Sequence, residues 1–142
     1  MSAVEREAAD RAAAVQVWGE YWRIHQTLLD MPATERADAV DAVAVDPTRK
    51  QTLDEATTFE QGGLAFYGQV VNHPYWSAPI AGKDVAVMGD CMDSSGYGTL
   101  VVKTNTKRTV GVAKNNTRVT LARGEDGSWR VKTIEYLVDT PC

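Results

Sequence analysis

The spacing of apolar residues divides the chain into a helical half and a stranded half. From Val4 to Leu29 apolar side chains recur every three or four residues with no proline, which predicts one long helix that ends before Pro32. Thr34 can cap a second helix running to about Val45. Asp46-Pro47 opens a third helix, which extends to about Glu60 before two glycines.

After Gly63 the pattern changes to the partial alternation and the Val, Thr and aromatic content of strands. The predicted strands are Leu64–Asn72, Lys83–Met92, Val110–Arg123 and Ser128–Val138. Thr99–Thr104 is either a further short strand or the first part of a long bent one. Helices followed by a strand meander predict an α+β domain, with three N-terminal helices packed on a curved antiparallel sheet of about four strands.

Length and charge narrow the class of protein. The 142 residues suit one domain, and the polar opening turns predict that residues 1–12 project as a helical stalk. The net charge is −4, with six basic against twelve acidic residues in the part before Gly62. No acid lies between Ser94 and Gly124, but no aromatic pattern interleaves the basic residues there, so we expect no nucleic-acid partner. No apolar run approaches the ~20 residues of a membrane span.

The two cysteines, Cys91 and Cys142, predict a single disulfide that ties the end of the chain to a strand. A cysteine at a frayed, exposed end would otherwise oxidise. Such a bond would place the protein in an oxidising compartment. The alternatives are two free thiols and a metal pair. Zinc requires three or four ligands and the chain has only two histidines, so we expect no metal site.

Three motifs carry a resemblance to a known family. They are Asp90-Cys91-Met92-Asp93-Ser94, Asp126-Gly127-Ser128-Trp129-Arg130-Val131 and the terminal cysteine. The chain resembles the small secreted proteins and lipoproteins of actinobacteria and their phages that have an NTF2-like (cystatin-like) roll. This resemblance covers most of the chain and implies export, often with a lipid anchor on a cysteine upstream of the domain. Residues 1–142 hold no such cysteine and no signal-peptide core, so we expect both to depend on an upstream segment.

The candidate catalytic residues are His25, Tyr67 and Asp90. The resemblance implies a cone-shaped cavity in which some enzymes of the superfamily keep a His/Asp or Tyr/Asp pair. No spacing in the sequence brings these three residues together, and His25 equally suits a satisfied core histidine. Asp90 and Asp93 more simply accept hydrogen bonds from the backbone of a turn. We therefore expect no catalytic set and no cofactor.

His73, Tyr75 and Trp76 form a candidate binding loop, because two adjacent aromatic residues between prolines make a rigid segment suited to an interface. The alternative is that Trp76 closes one end of the core. The chain has no glycine-rich phosphate loop, no nucleophile elbow and no His–Glu metal motif.

These features favour an exported, non-enzymatic binding or interaction domain at the cell envelope, as the soluble part of a lipoprotein encoded by a host or a phage. Its partner would be an envelope protein or a small ligand of unknown identity, and any membrane tether would lie in a removed N-terminal segment. One alternative is a small lyase or isomerase that uses the cavity. Another is a self-associating structural protein that forms a homodimer.

Overall fold

Three helices precede seven strands in the computed structural model, which describes all 142 residues. Helix α1 spans Ala3–Thr27 and is followed by a 3-10 turn at Leu28–Asp30, α2 spans Ala33–Asp41, and α3 spans Thr48–Gln61. The three predicted helices are therefore present. None of them combines the length and the apolar character that crossing a membrane would require.

Helix α2 ends about four residues before the predicted boundary, because the chain after Asp41 joins the sheet instead. Ala44 forms a parallel bridge with Val131, and the Val45 N–H donates to the Val131 carbonyl at 2.9 Å. The Val131 N–H in turn donates to the Val43 carbonyl at 2.8 Å. These backbone bonds replace those that a longer helix would have made.

The strands form two antiparallel sheets. Their bounds are β1 Leu64–Gly68, β2 Pro74–Tyr75, β3 Val85–Met92, β4 Tyr97–Val101, β5 Thr106–Lys107, β6 Asn115–Arg123 and β7 Trp129–Tyr136. One sheet has the order β2-β3-β6-β7 and the other the order β1-β4-β5. The α+β prediction, with three helices packed on antiparallel strands, is confirmed. The predicted Thr99–Thr104 strand corresponds to β4, which pairs with β1 rather than continuing into β6.

Two stretches differ from the predicted strands. Residues 110–114 precede β6 as an irregular segment, held where the Ser94 N–H donates to the Val112 carbonyl at 2.9 Å and the Gly111 N–H to the Tyr97 carbonyl at 2.9 Å. Pro74–Tyr75, expected within a loop, forms the short edge strand β2 against Gly89 and Asp90. Proline suits an edge strand because it has no N–H to donate to a neighbour.

The central strand β3 follows the predicted two-residue alternation. Met88 and Met92 are buried, whereas Val85 and Val87 are about half exposed. The inner face packs on the apolar stripe of α1, where Trp18 is fully buried. Cys91 shares the outer face with Val85, so the disulfide lies on the side of the sheet away from this core.

The disulfide joins Cys91 to Cys142 across 51 residues, with a Cα–Cα distance of 5.8 Å. Hydrogen bonds also hold the end of the chain, since Asn116 Nδ2 donates to the Thr140 carbonyl at 2.6 Å and the Leu137 N–H to the Asn116 carbonyl at 2.8 Å. The chain end is thus fixed by one covalent bond and two polar contacts near the start of β6.

Helix α1 contacts the rest of the fold from Glu7 onward, within the segment that the sequence predicts as a stalk. The Glu7 carboxylate accepts from the Ile80 N–H at 3.0 Å and the Ala81 N–H at 2.8 Å. One turn later, Asp10 pairs with Arg123 at 3.1 Å. These contacts join the first two turns of the helix to the loop before β3 and to the end of β6.

Candidate functional site

A cavity of about 380 Å³ lies where α1 and α3 face the three-stranded sheet. Its wall includes residues from α1 and α3, among them Trp22 and Phe59, and side chains of both sheets. Its exposed lining residues are Gln51 and Glu55 of α3, Tyr136 of β7, and Thr109 and Val110 before β6. Helical spacing explains both helix walls, because residues three or four apart share one face.

His25 lies in this wall, hydrogen-bonded on both ring nitrogens. Its Nε2 is 2.9 Å from Glu55 Oε1, and its Nδ1 is 2.6 Å from Tyr97 Oη. A carboxylate only accepts, so Nε2 carries a proton, and a neutral imidazole then accepts at Nδ1 from the Tyr97 hydroxyl. The ring is buried beside Phe66 and Trp22, with centroid distances of 4.7 and 4.9 Å.

The hydroxyls of Tyr21 and Tyr97 in the wall stay protonated. The Tyr21 hydroxyl is 2.8 Å from Thr52 Oγ1, and burial raises the pKa of Tyr21 to about 12. Burial, followed by the nearby charge of Glu55, raises the pKa of Tyr97 well above its ordinary value. Neither phenol therefore ionises at neutral pH, and both remain hydrogen-bonding groups rather than bases.

Glu55 is the charged residue of this wall. Among the 21 lining residues there is no lysine, no arginine and no second carboxylate. Its Oε1 is bonded to His25, whereas Oε2 has no hydrogen-bond partner in the protein and the side chain is 44% exposed. One carboxylate oxygen of this lining residue therefore makes no hydrogen bond within the protein.

The other two candidate catalytic residues are not in the cavity wall. The Tyr67 hydroxyl donates to the Thr109 carbonyl at 2.8 Å, and Lys107 Nζ lies 4.8 Å from the centre of the Tyr67 ring. Asp90 is fully buried in the other sheet. The structure thus gives His25 a carboxylate partner, but that partner is Glu55 rather than Asp90.

Asp90 accepts three hydrogen bonds inside the core. Its Oδ2 accepts from Trp18 Nε1 at 2.6 Å and from Asn72 Nδ2 at 2.9 Å, and its Oδ1 accepts from the His73 N–H at 2.7 Å. Asp93 instead accepts from the N–H and the hydroxyl of Ser95, which lowers its pKa. Both aspartates were expected to accept hydrogen bonds from the backbone of a turn, and only Asp93 does so. Asp90 instead joins α1, β3 and the segment before β2.

The candidate binding loop makes contacts within the protein. His73 Nδ1 is 3.1 Å from the Cys91 carbonyl, and the Tyr75 hydroxyl donates to Asn116 Oδ1 at 3.2 Å. Trp76 packs partly buried against the core, with the Arg11 guanidinium 5.2 Å from its ring centre. Tyr75 and His73 remain exposed, and a binding role for the three stays a prediction.

Sequence reasoning missed Glu55, and the available signal was the pattern of α3. Thr48, Thr52 and Glu55 recur at helical spacing and lead to Phe59, so the inward face of this helix is polar along most of its length. A packed helix would ordinarily present larger apolar side chains there. No three His, Cys, Asp or Glu side chains lie close enough together to hold a metal ion.

Comparison with known proteins identifies similar folds. No family model and no curated protein matches the chain. Among solved structures, the intermembrane space region of chloroplast protein ARC6 aligns with a TM-score of 0.53 at 18% identity, covering 96% of this chain and 97% of that one. A protein from Catenulispora acidiphila aligns with a TM-score of 0.50 at 17% identity, covering 92% and 94%. At these identities the likeness is one of fold alone, and the architecture is compatible with an NTF2-like fold.

Proposed function

We propose that this protein binds a small organic molecule in the cavity between α1, α3 and the three-stranded sheet. The observation that carries the proposal is the cavity itself, whose volume of about 380 Å³ falls within the range of ligand sites. Its wall combines aromatic surface with a few convergent polar groups, of which Glu55 has an unpaired oxygen. This combination is typical of sites that bury an apolar ligand and orient it by one or two polar contacts.

The hydrogen bonds of His25 favour a binding role over a catalytic one. Both of its nitrogens are engaged, by Glu55 and by Tyr97, so neither is free to take a proton from a substrate. The lyase or isomerase remains the second candidate because a histidine next to a carboxylate lies in the wall. That activity would require a substrate to replace Tyr97 at Nδ1.

Two neutral probes test the binding proposal, p-cresol and 3,3-dimethylbutan-1-ol. We expect either probe, titrated into ¹⁵N-labelled protein, to shift backbone amide resonances of the cavity wall, with saturation at millimolar concentrations. Gln51→Phe places a ring at an exposed position of the cavity wall and should weaken these shifts, whereas Lys50→Phe, an exposed position outside the wall, should not. Wall resonances that do not respond to any small molecule would contradict a binding cavity.

We also propose that the protein works in an oxidising compartment outside the cytosol. The support is the disulfide, because such bonds persist where thiols are not kept reduced. The description of the ARC6 neighbour as an intermembrane space region is in keeping with this location. Attachment to the cell envelope as a bacterial or phage lipoprotein, with an envelope protein as partner, is the finer hypothesis that the sequence resemblance supplies.

The location is tested by trapping thiols in intact cells of the source organism. A membrane-permeable maleimide added before lysis should leave Cys91 and Cys142 unlabelled, as judged by mass spectrometry without reductant. Labelling of both cysteines in the native protein would count against export.

A further inference from the structure

We propose that the ligand carries a compact organic cation, a methylated ammonium group, held between the aromatic rings of the cavity wall and the Glu55 carboxylate. This inference rests on the proposed function and names the chemical class that the cavity selects. Two independent features support it: a continuous aromatic surface and the distribution of charge around it.

The aromatic surface consists of rings in mutual contact. It is formed by Tyr21, Trp22, Phe59, Phe66 and Tyr97, and Tyr136 also lines the cavity. The centroid distances are 5.2 Å for Tyr21–Trp22, 6.2 Å for Trp22–Tyr97, 5.6 Å for Tyr97–Phe66 and 5.7 Å for Phe66–Phe59. The face of an aromatic ring carries the negative part of its quadrupole, so a ring face attracts a cation that lies within about 6 Å of the ring centre.

The charged residues around the cavity also favour a cation over an anion. Glu55 is the one carboxylate of the wall, its Oε2 has no hydrogen-bond partner in the protein, and no lysine or arginine lies in the wall. The basic residues of the 94–124 segment are elsewhere, with Lys107 against the Tyr67 ring and Arg123 paired with Asp10. An anion in the cavity would meet the Glu55 carboxylate with no lysine or arginine to compensate.

A methylated ammonium suits this wall better than a primary one. A primary ammonium has three N–H donors and would need acceptors for each of them. Glu55 supplies the only carboxylate acceptor, the other side-chain oxygens of the wall belong to neutral amide and hydroxyl groups, and six of the 21 lining residues are aromatic. Methyl groups remove the donors and replace strong hydration with apolar contact, while the charge is kept for Oε2 and the ring faces.

The experiment compares choline with 3,3-dimethylbutan-1-ol, which has the same shape but no charge, by NMR titration at fixed ionic strength. We expect choline to bind about tenfold more tightly, the low to middle range of a partly desolvated cation–π contact. Glu55→Gln should reduce that preference to less than about threefold, since the amide keeps the bond to His25 but removes the charge. The affinity for the neutral alcohol should stay unchanged.

The matched control is Asp54→Asn, which removes the same charge from the neighbouring position of α3. Asp54 points to solvent and pairs with Lys50 at 2.6 Å, so this variant should keep the full preference for choline. A preference that survives Glu55→Gln, or choline binding no tighter than the alcohol, would overturn the cation proposal. In either case, shifts of wall resonances caused by the alcohol would still support the proposed binding function. If neither probe shifted the wall resonances, both proposals would be overturned.

Discussion

Replacing Asp90 by asparagine is expected to lower the free energy of unfolding by about 2–4 kcal/mol. Asp90 is 0% exposed, and no cation lies beside it. Its three hydrogen bonds come from neutral donors on Trp18, Asn72 and the backbone of His73. The carboxylate is tolerated inside the core because both oxygens accept from N–H groups aimed at them.

The magnitude follows from counting acceptors. Asparagine offers one acceptor oxygen, and its amino group is a donor. If the amide oxygen faces Trp18 and Asn72, the amino group faces the His73 N–H, and two donors oppose each other. If the oxygen faces His73, the amino group opposes the two donors on Trp18 and Asn72. At least one charge-assisted bond, about 1.5–3 kcal/mol, is lost and at least one buried N–H is left unpaired, at about 1–3 kcal/mol. The two contributions overlap, which places the sum at about 2–4 kcal/mol.

The assay is urea unfolding at pH 7, followed by far-UV circular dichroism and by tryptophan fluorescence, to which Trp18 contributes. The matched control is Asp93→Asn, two residues along the chain, where the carboxylate accepts only from Ser95 in a turn. We expect this control to be much less destabilising than Asp90→Asn, because surface substitutions usually have small effects. Equal destabilisation by the two variants, or a loss below about 1 kcal/mol for Asp90→Asn, would refute the assignment of Asp90 as a buried hub.

Two further predictions concern the disulfide and the response to acid. Replacing Cys91 and Cys142 together by serine should lower the free energy of unfolding by about 4 kcal/mol, because the disulfide closes a loop between residues 51 apart. The wild-type protein unfolded in the presence of reductant should have the same stability as the variant. A variant as stable as the oxidised wild type would contradict this prediction. The pKa of Glu7 is lowered from 4.5 to about 2, chiefly by the Ile80 N–H and then by the Ala81 N–H, so its stabilising contribution is present above pH 4.5 and is lost as pH falls towards 2. Glu7→Gln should therefore lower Tm at pH 7 but not at pH 2, and a Tm difference independent of pH would exclude this linkage.

Much of the fold was predictable because the helices and the longer strands have a period visible in the sequence. The stripe that includes Trp18 and Trp22 is buried as the helical spacing requires, and the alternation along β3 places Met88 and Met92 inside. Boundaries were less accurate where tertiary bonds decided them. The backbone of Val43 and Val45 forms hydrogen bonds with Val131 instead of extending α2, and nothing in the local sequence pattern indicates that distant partner.

The two aspartates beside Cys91 show the limit of local reasoning. Alternation alone predicts that Asp90 points away from the face of Cys91, and the structure places it in the core. Which donors meet it there depends on Trp18, 72 residues earlier in the chain. A short motif can therefore give the direction of a side chain but cannot give its partners when they come from another element.

The cavity arises where two helix patterns do not complement each other. The inward side of α1 carries large rings such as Trp22, whereas the facing side of α3 carries Thr48 and Thr52, which are too small to fill the space between the helices. A sequence selected only for stability would place leucine-sized side chains there, because unfilled volume in a core is destabilising. The mismatch leaves the cavity unfilled, and Glu55 lies in its wall next to His25, 30 residues away in the chain. Positions that break the packing rules of an otherwise regular fold are where function is expected, and in this chain they lie on one face of α3.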